Sequence, residues 1–229
     1  MLNFVDSVQA AVAGIKDGST VMIGGFGNAG QPFELIDALL DCGATDLTVV
    51  NNNAGQGDQG LALLIKEGRV KKMICSFPRQ SDSWHFDAKY KAGEIELELV
   101  PQGNLAERIR AAGAGIGGFF TPTGYGTMLA EGKETRIIDG RGQVFETPIH
   151  ADVALIKALK ADGKGNLVYR KTARNFGPIM AAAAKQTIVQ VSGIVPTGAL
   201  DPEEVVTPGI YVNTIVQVAG SGNTAEKAA

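Results

Sequence analysis

The chain has 229 residues, 45% of them hydrophobic and 20% charged, with a formal charge of −3, enough for one large core or two small ones. Twenty-one basic side chains against 24 acidic ones leave no field to steer nucleic acid or an anionic membrane. Two histidines and two cysteines exclude a disulfide framework and a multi-histidine zinc site, and the cysteines fit a reducing cytoplasm.

From the amino end, Met1 to Asp6 reaches an acid without a basic run, so no secretory signal is expected. Phe4, Val5, Val8, Val12 and Ile15 recur at helical spacing before Gly18, which predicts a helix over Asn3–Lys16. Thr20–Ile23 reads as a short apolar strand. Pro32 then opens a helix carrying Leu35, Ile36, Leu39 and Leu40, and Gly43 ends it. Asp46–Val50 is the next strand. The alternation continues through helix Gln59–Lys66, strand Val70–Cys75, helix Asp82–Ala92, strand Ile95–Val100 and helix Asn104–Ala112. Continuous apolar strands separated by helices predict an α/β fold, a mostly parallel sheet flanked by helices on both faces.

Ala111 to Ala130 lacks charge but holds six glycines and Pro122. It is too polar for a membrane span and reads as turn-rich interior backbone. The rhythm then changes. Arg136–Asp139 and Gln143–Thr147 form a predicted hairpin around Gly140-Arg141-Gly142, and Ala151–Leu159 pairs with Asn166–Tyr169. Helix Pro178–Lys185 and strands Thr187–Val191 and Tyr211–Val218 complete a small hairpin-containing second half. One domain over residues 1–218 is expected, with a frayed tail at 219–229.

Thirty of the 229 residues are glycine, nearly twice the usual share of about 7%. They concentrate first in Gly24-Gly25-Phe26-Gly27-Asn28-Ala29-Gly30, between a strand and a helix. Gly25, Gly27 and Gly30 satisfy G-x-G-x-x-G, the pattern of a dinucleotide-binding turn backed by a helix N-terminus. That reading demands an acid at the end of the second strand to hold ribose hydroxyls. The strand runs instead into Asn51-Asn52-Asn53, and the nearest acid, Asp46, starts it. The dehydrogenase reading fails, leaving a ligand-free turn or a different ligand.

Longer strings carry more. Asp17-Gly18, Gly24-Gly25-Phe26 and Gly30-x-Pro32 occur at fixed spacing, followed by Asn52-Asn53-Ala54-Gly55, Val100-Pro101-Gln102-Gly103 and Leu105 to Arg110. Phe120 to Thr127, Gly165-Asn166-Leu167 and Ala173-Arg174-Asn175-Phe176 extend the series across nearly the whole chain. Together they resemble the family I coenzyme A transferases, specifically the α subunit of the two-subunit enzymes.

That resemblance implies a fold related to the sugar-phosphate isomerases. It also implies transfer of coenzyme A between carboxylates through a glutamyl-CoA thioester. The family's nucleophilic glutamate lies in a Ser-Glu-Asn-Gly stretch of the β subunit, and this sequence has none. No nucleophile is therefore expected here. A CoA-transferase β subunit is expected as partner, in a heterodimer or heterotetramer. The resemblance assigns Gly24, Gly25, Phe26, Gly27, Asn28, Ala29 and Gly30 to a CoA-binding loop, and Asn52, Asn53 and Gln102 to donors facing the reacting carboxyl. Read as residues alone, the asparagines also suit a polar turn, Gln102 a type II turn, and Asn104 a helix cap.

Ser76 to Ser83 resembles the 3-oxoadipate branch of the family. It suggests succinyl-CoA as donor and 3-oxoadipate as acceptor in the β-ketoadipate pathway of aromatic hydrocarbon catabolism. Arg79 would bind the acceptor's second carboxylate, or lie in water at a strand end. Acetoacetate or another short-chain 3-oxo acid is the nearer alternative, and a non-catalytic nucleotide- or effector-binding domain the more distant one. Coenzyme A enters as substrate, with no resident cofactor, metal, nucleic acid or membrane expected, in the cytoplasm. His85 and His150 read as packing or surface residues, and Cys75 as core.

Overall fold

The computed structural model describes residues 2–218, so the expected tail at 219–229 lies outside the described residues. The elements in chain order are β1 (Asn3–Val5), α1 (Val8–Val12), β2 (Thr20–Ile23), α2 (Phe33–Cys42), β3 (Leu47–Val50) and α3 (Leu61–Lys66). They continue with β4 (Val70–Cys75), α4 (Trp84–Lys91), β5 (Glu96–Leu99), α5 (Gln102–Gly113), β6 (Phe119–Thr121), β7 (Thr135–Ile138) and β8 (Arg141–Glu146). The last are β9 (Ala151–Asp162), β10 (Leu167–Val168), α6 (Gly177–Ala183), β11 (Ala184–Val195) and β12 (Thr214–Gln217).

Nine strands make one sheet in the order β1-β12-β11-β9-β2-β3-β4-β5, with β10 on β9. Every pairing is parallel except that of β10 with β9. Successive side chains of a strand point to opposite faces, and the core divides accordingly. Val21 and Ile23 of β2, Val49 of β3 and Leu155 of β9 pack with Leu35, Leu39, Leu61 and Phe86 on one face. Met22, Val50, Ile156 and Val189 pack with Leu105, Ile109 and Met180 on the other. The predicted parallel sheet with helices on both faces is the architecture found. Among the described residues, no helix is long and apolar enough to cross a membrane.

Three predicted elements take another form. Asn3–Lys16 is not one helix: Asn3–Val5 pairs with Thr214–Val216 as a parallel edge strand. Ser7 caps α1, its Oγ accepting from the Ala10 N–H at 3.2 Å, so the helical spacing holds only over Val8–Val12. Pro101-Gln102-Gly103 is not a turn but the start of α5, where the Leu105 N–H donates to the Pro101 carbonyl at 2.8 Å. Asn104 therefore lies inside the helix and caps nothing. Its buried side chain donates to Glu146 Oε1 at 3.1 Å and to the Thr123 carbonyl at 3.2 Å, tying α5 to the second sheet. Finally, residues 111–130 are largely exposed or half-exposed among the described residues rather than interior.

The second sheet, β6-β8-β7, contains the predicted hairpin. Ile138 pairs with Arg141, so the turn is Asp139-Gly140, one residue earlier than expected. Both have positive φ (50° and 72°), the two-residue geometry that matches strand twist.

Asp162 closes β9 and fixes the turn to β10. Its Oδ1 accepts from the Lys164 and Asn166 N–H groups, and its Oδ2 from Asn166 Nδ2, each at 2.9 Å. Burial acts to raise this carboxyl, but the three donors outweigh it and hold it below the ordinary aspartate value. A depressed folded value contributes stability that is present above the unfolded value and lost as pH falls through the folded one. Melting temperatures of wild type and Asp162→Asn should therefore differ most near neutrality and converge below about pH 4. A gap that stays constant from neutrality to pH 3 would refute this account of the turn.

Candidate functional site

Gly24, Asn51 and Ser76 directly follow β2, β3 and β4, at the carboxyl ends of neighbouring parallel strands. Chain order reverses between β2 and β9, and such switch points are where open α/β sheets leave a crevice. Gly24 lies at that seam, its N–H donating to the Leu155 carbonyl at 2.9 Å.

Beyond Gly24 the loop folds back on itself. Phe26 and Ala29 exchange both backbone hydrogen bonds, at 3.0 and 3.2 Å, with Gly27 and Asn28 at the tip. Phe26 is 50% exposed despite its size. Gly30 has φ +76°, and a Cβ there would lie 2.1 Å from the Ala173 carbonyl oxygen, so only glycine fits. The N-terminus of α2 is not open to an anion: the Leu35 N–H donates to Gln190 Oε1 at 3.2 Å, and Gln190 Nε2 donates to Glu34 in the first turn. The loop tip, rather than the helix end, is the part available to a ligand.

Asn51, Asn52 and Asn53 are all buried, with relative exposures of 1%, 1% and 4%. Asn51 Nδ2 donates to the Ile23 carbonyl at 2.6 Å, and its Oδ1 accepts from the Asn53 N–H at 2.8 Å, joining the ends of β2 and β3. Asn53 Oδ1 accepts from the Gly27 N–H at 3.0 Å and from Asn52 Nδ2 at 3.1 Å. Asn53 Nδ2 donates to the Phe77 carbonyl at 3.3 Å. Asn52 Oδ1 accepts from Ser76 Oγ at 2.7 Å and from Gln102 Nε2 at 2.9 Å. The glycine loop, both predicted asparagines and Gln102 thus form one hydrogen-bonded cluster of neutral amides.

Gln102 is the exposed member, and it lines a cavity of about 260 Å³ with Phe26, Gly103, Ala106, Asn175, Phe176 and Ile179. Pockets that enclose a whole small ligand run about 300–1,000 Å³, so this one suits the reacting end of a longer molecule. Asn175 closes its far side, donating to the Ala29 and Thr172 carbonyls at 2.9 and 3.0 Å. Apolar walls with a few neutral donors favour a carbonyl oxygen gaining negative charge, because donors already held in place need not reorganise.

Arg79 lies apart from the cluster. Its Nε donates to Asp87 Oδ1 in the first turn of α4 at 2.8 Å, and more than half of its side chain is exposed. Arg174 lines a separate cleft of about 700 Å³ with Arg170, Lys171, Glu203 and Glu204. His85 Nε2 is held by Asp58 Oδ1 at 2.7 Å. Cys75 is fully buried, and burial pushes its thiol up to about 12, which removes it as a nucleophile near neutral pH. Ser76, Asn51 and Asn175 carry contacts that their residue types alone did not announce. The available signal was positional, since Gly24, Asn51 and Ser76 stand at equivalent strand ends.

A family model described as coenzyme A transferase matches residues 5–218. The chain is 65% identical over 216 residues to the α subunit of 3-oxoadipate CoA-transferase from Pseudomonas putida, covering 94% of each chain. It is 51% identical over 223 residues to the α subunit of a probable succinyl-CoA:3-ketoacid coenzyme A transferase from Bacillus subtilis, covering 97% of this chain and 93% of that one. Among solved structures, an acyl-CoA transferase apoenzyme of Escherichia coli O157:H7 superposes with a TM-score of 0.85 at 23% identity. That match covers 95% of this chain and 47% of the other, so this chain spans about half of the longer protein.

Proposed function

This chain belongs to the coenzyme A transferase family, and from that premise we propose that it is the α subunit of an enzyme moving CoA from succinyl-CoA to 3-oxoadipate. The observation that carries the acceptor is the 65% identity to the α subunit of a 3-oxoadipate CoA-transferase, against 51% to a 3-ketoacid relative. Acetoacetate-type acceptors are the weaker reading on the same comparison. The partner is a β subunit that supplies a nucleophilic glutamate, in a heterodimer or heterotetramer. Coenzyme A is a substrate, no resident cofactor is needed, and the setting is cytoplasmic, consistent with two free cysteines.

The exchange balances without redox chemistry. In the first half a partner glutamate oxygen bonds to the succinyl carbon as the succinyl–sulfur bond breaks; the freed thiolate then bonds to the glutamyl carbon, whose bond to that oxygen breaks, and succinate leaves with the oxygen. In the second half the acceptor carboxylate gives one oxygen to the glutamyl carbon and takes the sulfur, which restores the glutamate carboxylate. Each half accumulates charge on carbonyl oxygens, and Gln102 is the exposed amide able to donate to one. Asn52 and Asn53 hold it from behind, and the tip of the Gly24–Gly30 loop binds the CoA arm. An uncharged cluster does not repel two incoming carboxylates.

Co-expression with a β subunit, followed by a CoA-exchange assay over several 3-oxo acids, tests the reading. Activity is expected only in the mixed complex, together with a hydroxylamine-sensitive thioester on the β subunit. A thioester on this chain, or turnover by this chain alone, would overturn the division of labour.

Arg79 remains our candidate for the acceptor's second carboxylate, which it would take in competition with Asp87. Charged hydrogen bonds contribute about 1.5–3 kcal/mol, so Arg79→Met should reduce kcat/KM for 3-oxoadipate about tenfold or more. A monocarboxylic 3-oxo acid should lose much less. Equal losses on both acceptors would remove Arg79 from specificity.

A further inference from the structure

The orientation of the amide cluster is dictated by backbone. The Gly27 N–H can only donate, so it must meet Asn53 Oδ1 (3.0 Å), while the Phe77 carbonyl can only accept, so it must meet Asn53 Nδ2 (3.3 Å). Asn53 is thereby fixed, and its oxygen takes Asn52 Nδ2 as a second donor (3.1 Å). That places the buried Asn52 Oδ1 on the other side, where Ser76 Oγ and Gln102 Nε2 both donate to it, at 2.7 and 2.9 Å. Hydrogen bonds therefore run one way, from Gln102 through Asn52 and Asn53 to a main-chain oxygen. One N–H of Gln102 is committed inward. Its second N–H and its Oε1 have no other partner among the described residues.

We propose that Ser76 is a positioning residue for the transfer reaction: through Asn52 it holds the Gln102 carboxamide in the orientation that offers its second N–H to the reacting carbonyl. Ser76 is suited to this because it directly follows β4 and meets Asn52 through both its main chain and its side chain. Its N–H donates to the Asn52 carbonyl at 3.2 Å, and its hydroxyl lies 3.2 Å from the same carbonyl and 2.7 Å from the Asn52 side chain. Removing the hydroxyl leaves Asn52 Oδ1 with Gln102 as its single donor. The shared acceptor can then shift, and Gln102 shifts with it. This rests on the transferase reading only in assigning the donor its task; the relay itself is geometry.

The test is a double-mutant cycle in the complex with the β subunit, with a readout on the full chain that needs no activity. Ser76→Ala should lower kcat about tenfold, with KM for succinyl-CoA changed less than about twofold, and Ser76→Thr should restore most of the loss. In a Gln102→Ala background the same change should cost less than about twofold, because the group it orients is already gone. The side-chain amide resonances of Gln102, assigned by their loss in Gln102→Ala, should shift in Ser76→Ala. Additive losses in the double variant, or unmoved Gln102 resonances, would overturn the proposal. A complex that is inactive as wild type while those resonances shift would overturn the transferase reading and uphold the relay.

Discussion

Gln102→Ala is expected to lower kcat for CoA exchange by about 100-fold or more, since one preorganised donor to a developing oxyanion accounts for about 10²–10³ in rate. The structure makes the experiment clean. Gln102 is exposed in the first turn of α5, and its side chain's one hydrogen-bond partner among the described residues, Asn52, keeps its contact with Ser76 when the glutamine is cut back. The melting temperature should therefore move by no more than about 2 °C, as for surface changes in general. KM for succinyl-CoA should change little, because the donor acts mainly where charge develops. A variant that keeps wild-type kcat would remove Gln102 from the chemistry and leave the cluster as scaffolding.

Gly30→Ala should be the least tolerated methyl among the four glycines of the Gly24–Gly30 loop. Its Cβ would stand 2.1 Å from the Ala173 oxygen at a φ of +76°, so steric overlap with main chain adds to backbone strain. Strain of this kind alone costs about 1–3 kcal/mol, and the overlap forces the loop off the 171–176 turn as well. A fall in melting temperature of roughly 6 °C or more is expected at this size, with loss of CoA binding by the complex. Gly27→Ala is the control. Its φ is +57°, but the nearest atom to an added Cβ is Gln56 Oε1 at 3.8 Å, so only the backbone preference of about 1 kcal/mol applies. If the two variants prove equally stable, contact with Ala173 does not constrain the loop.

The sheet was legible where a signal was local. Apolar runs marked β2 and β3, and Gly43 at φ +83° ended α2 where the sequence placed its stop. The misreadings share a cause, which is a partner far away in the chain. Phe4 and Val5 fit a helical spacing, yet their partners are Ile215 and Val216. Asn104 has the chemistry of a cap, but Glu146 and Thr123 claim its amide. At the candidate site, resemblance rather than spacing pointed to Asn52, Asn53 and Gln102. No periodicity brings Gln102 within hydrogen-bond reach of a residue 50 positions earlier. Ser76 drew no role from its residue type, because its contact with Asn52 lies at the strand end beside it.

The pairing of Asn3–Val5 with Thr214–Val216 also bears on how the molecule is made. As the ribosome extends the chain at about 5–20 residues per second, β1 emerges some two hundred residues, and therefore roughly 10–40 s, before its one neighbour among the described residues exists. The sheet can assemble outward from β2, β3 and β4 during that interval, but one margin must wait for β12. Nascent chains halted before Thr214 should therefore present β1 as an unsatisfied strand to chaperones, however complete the rest of the sheet has become.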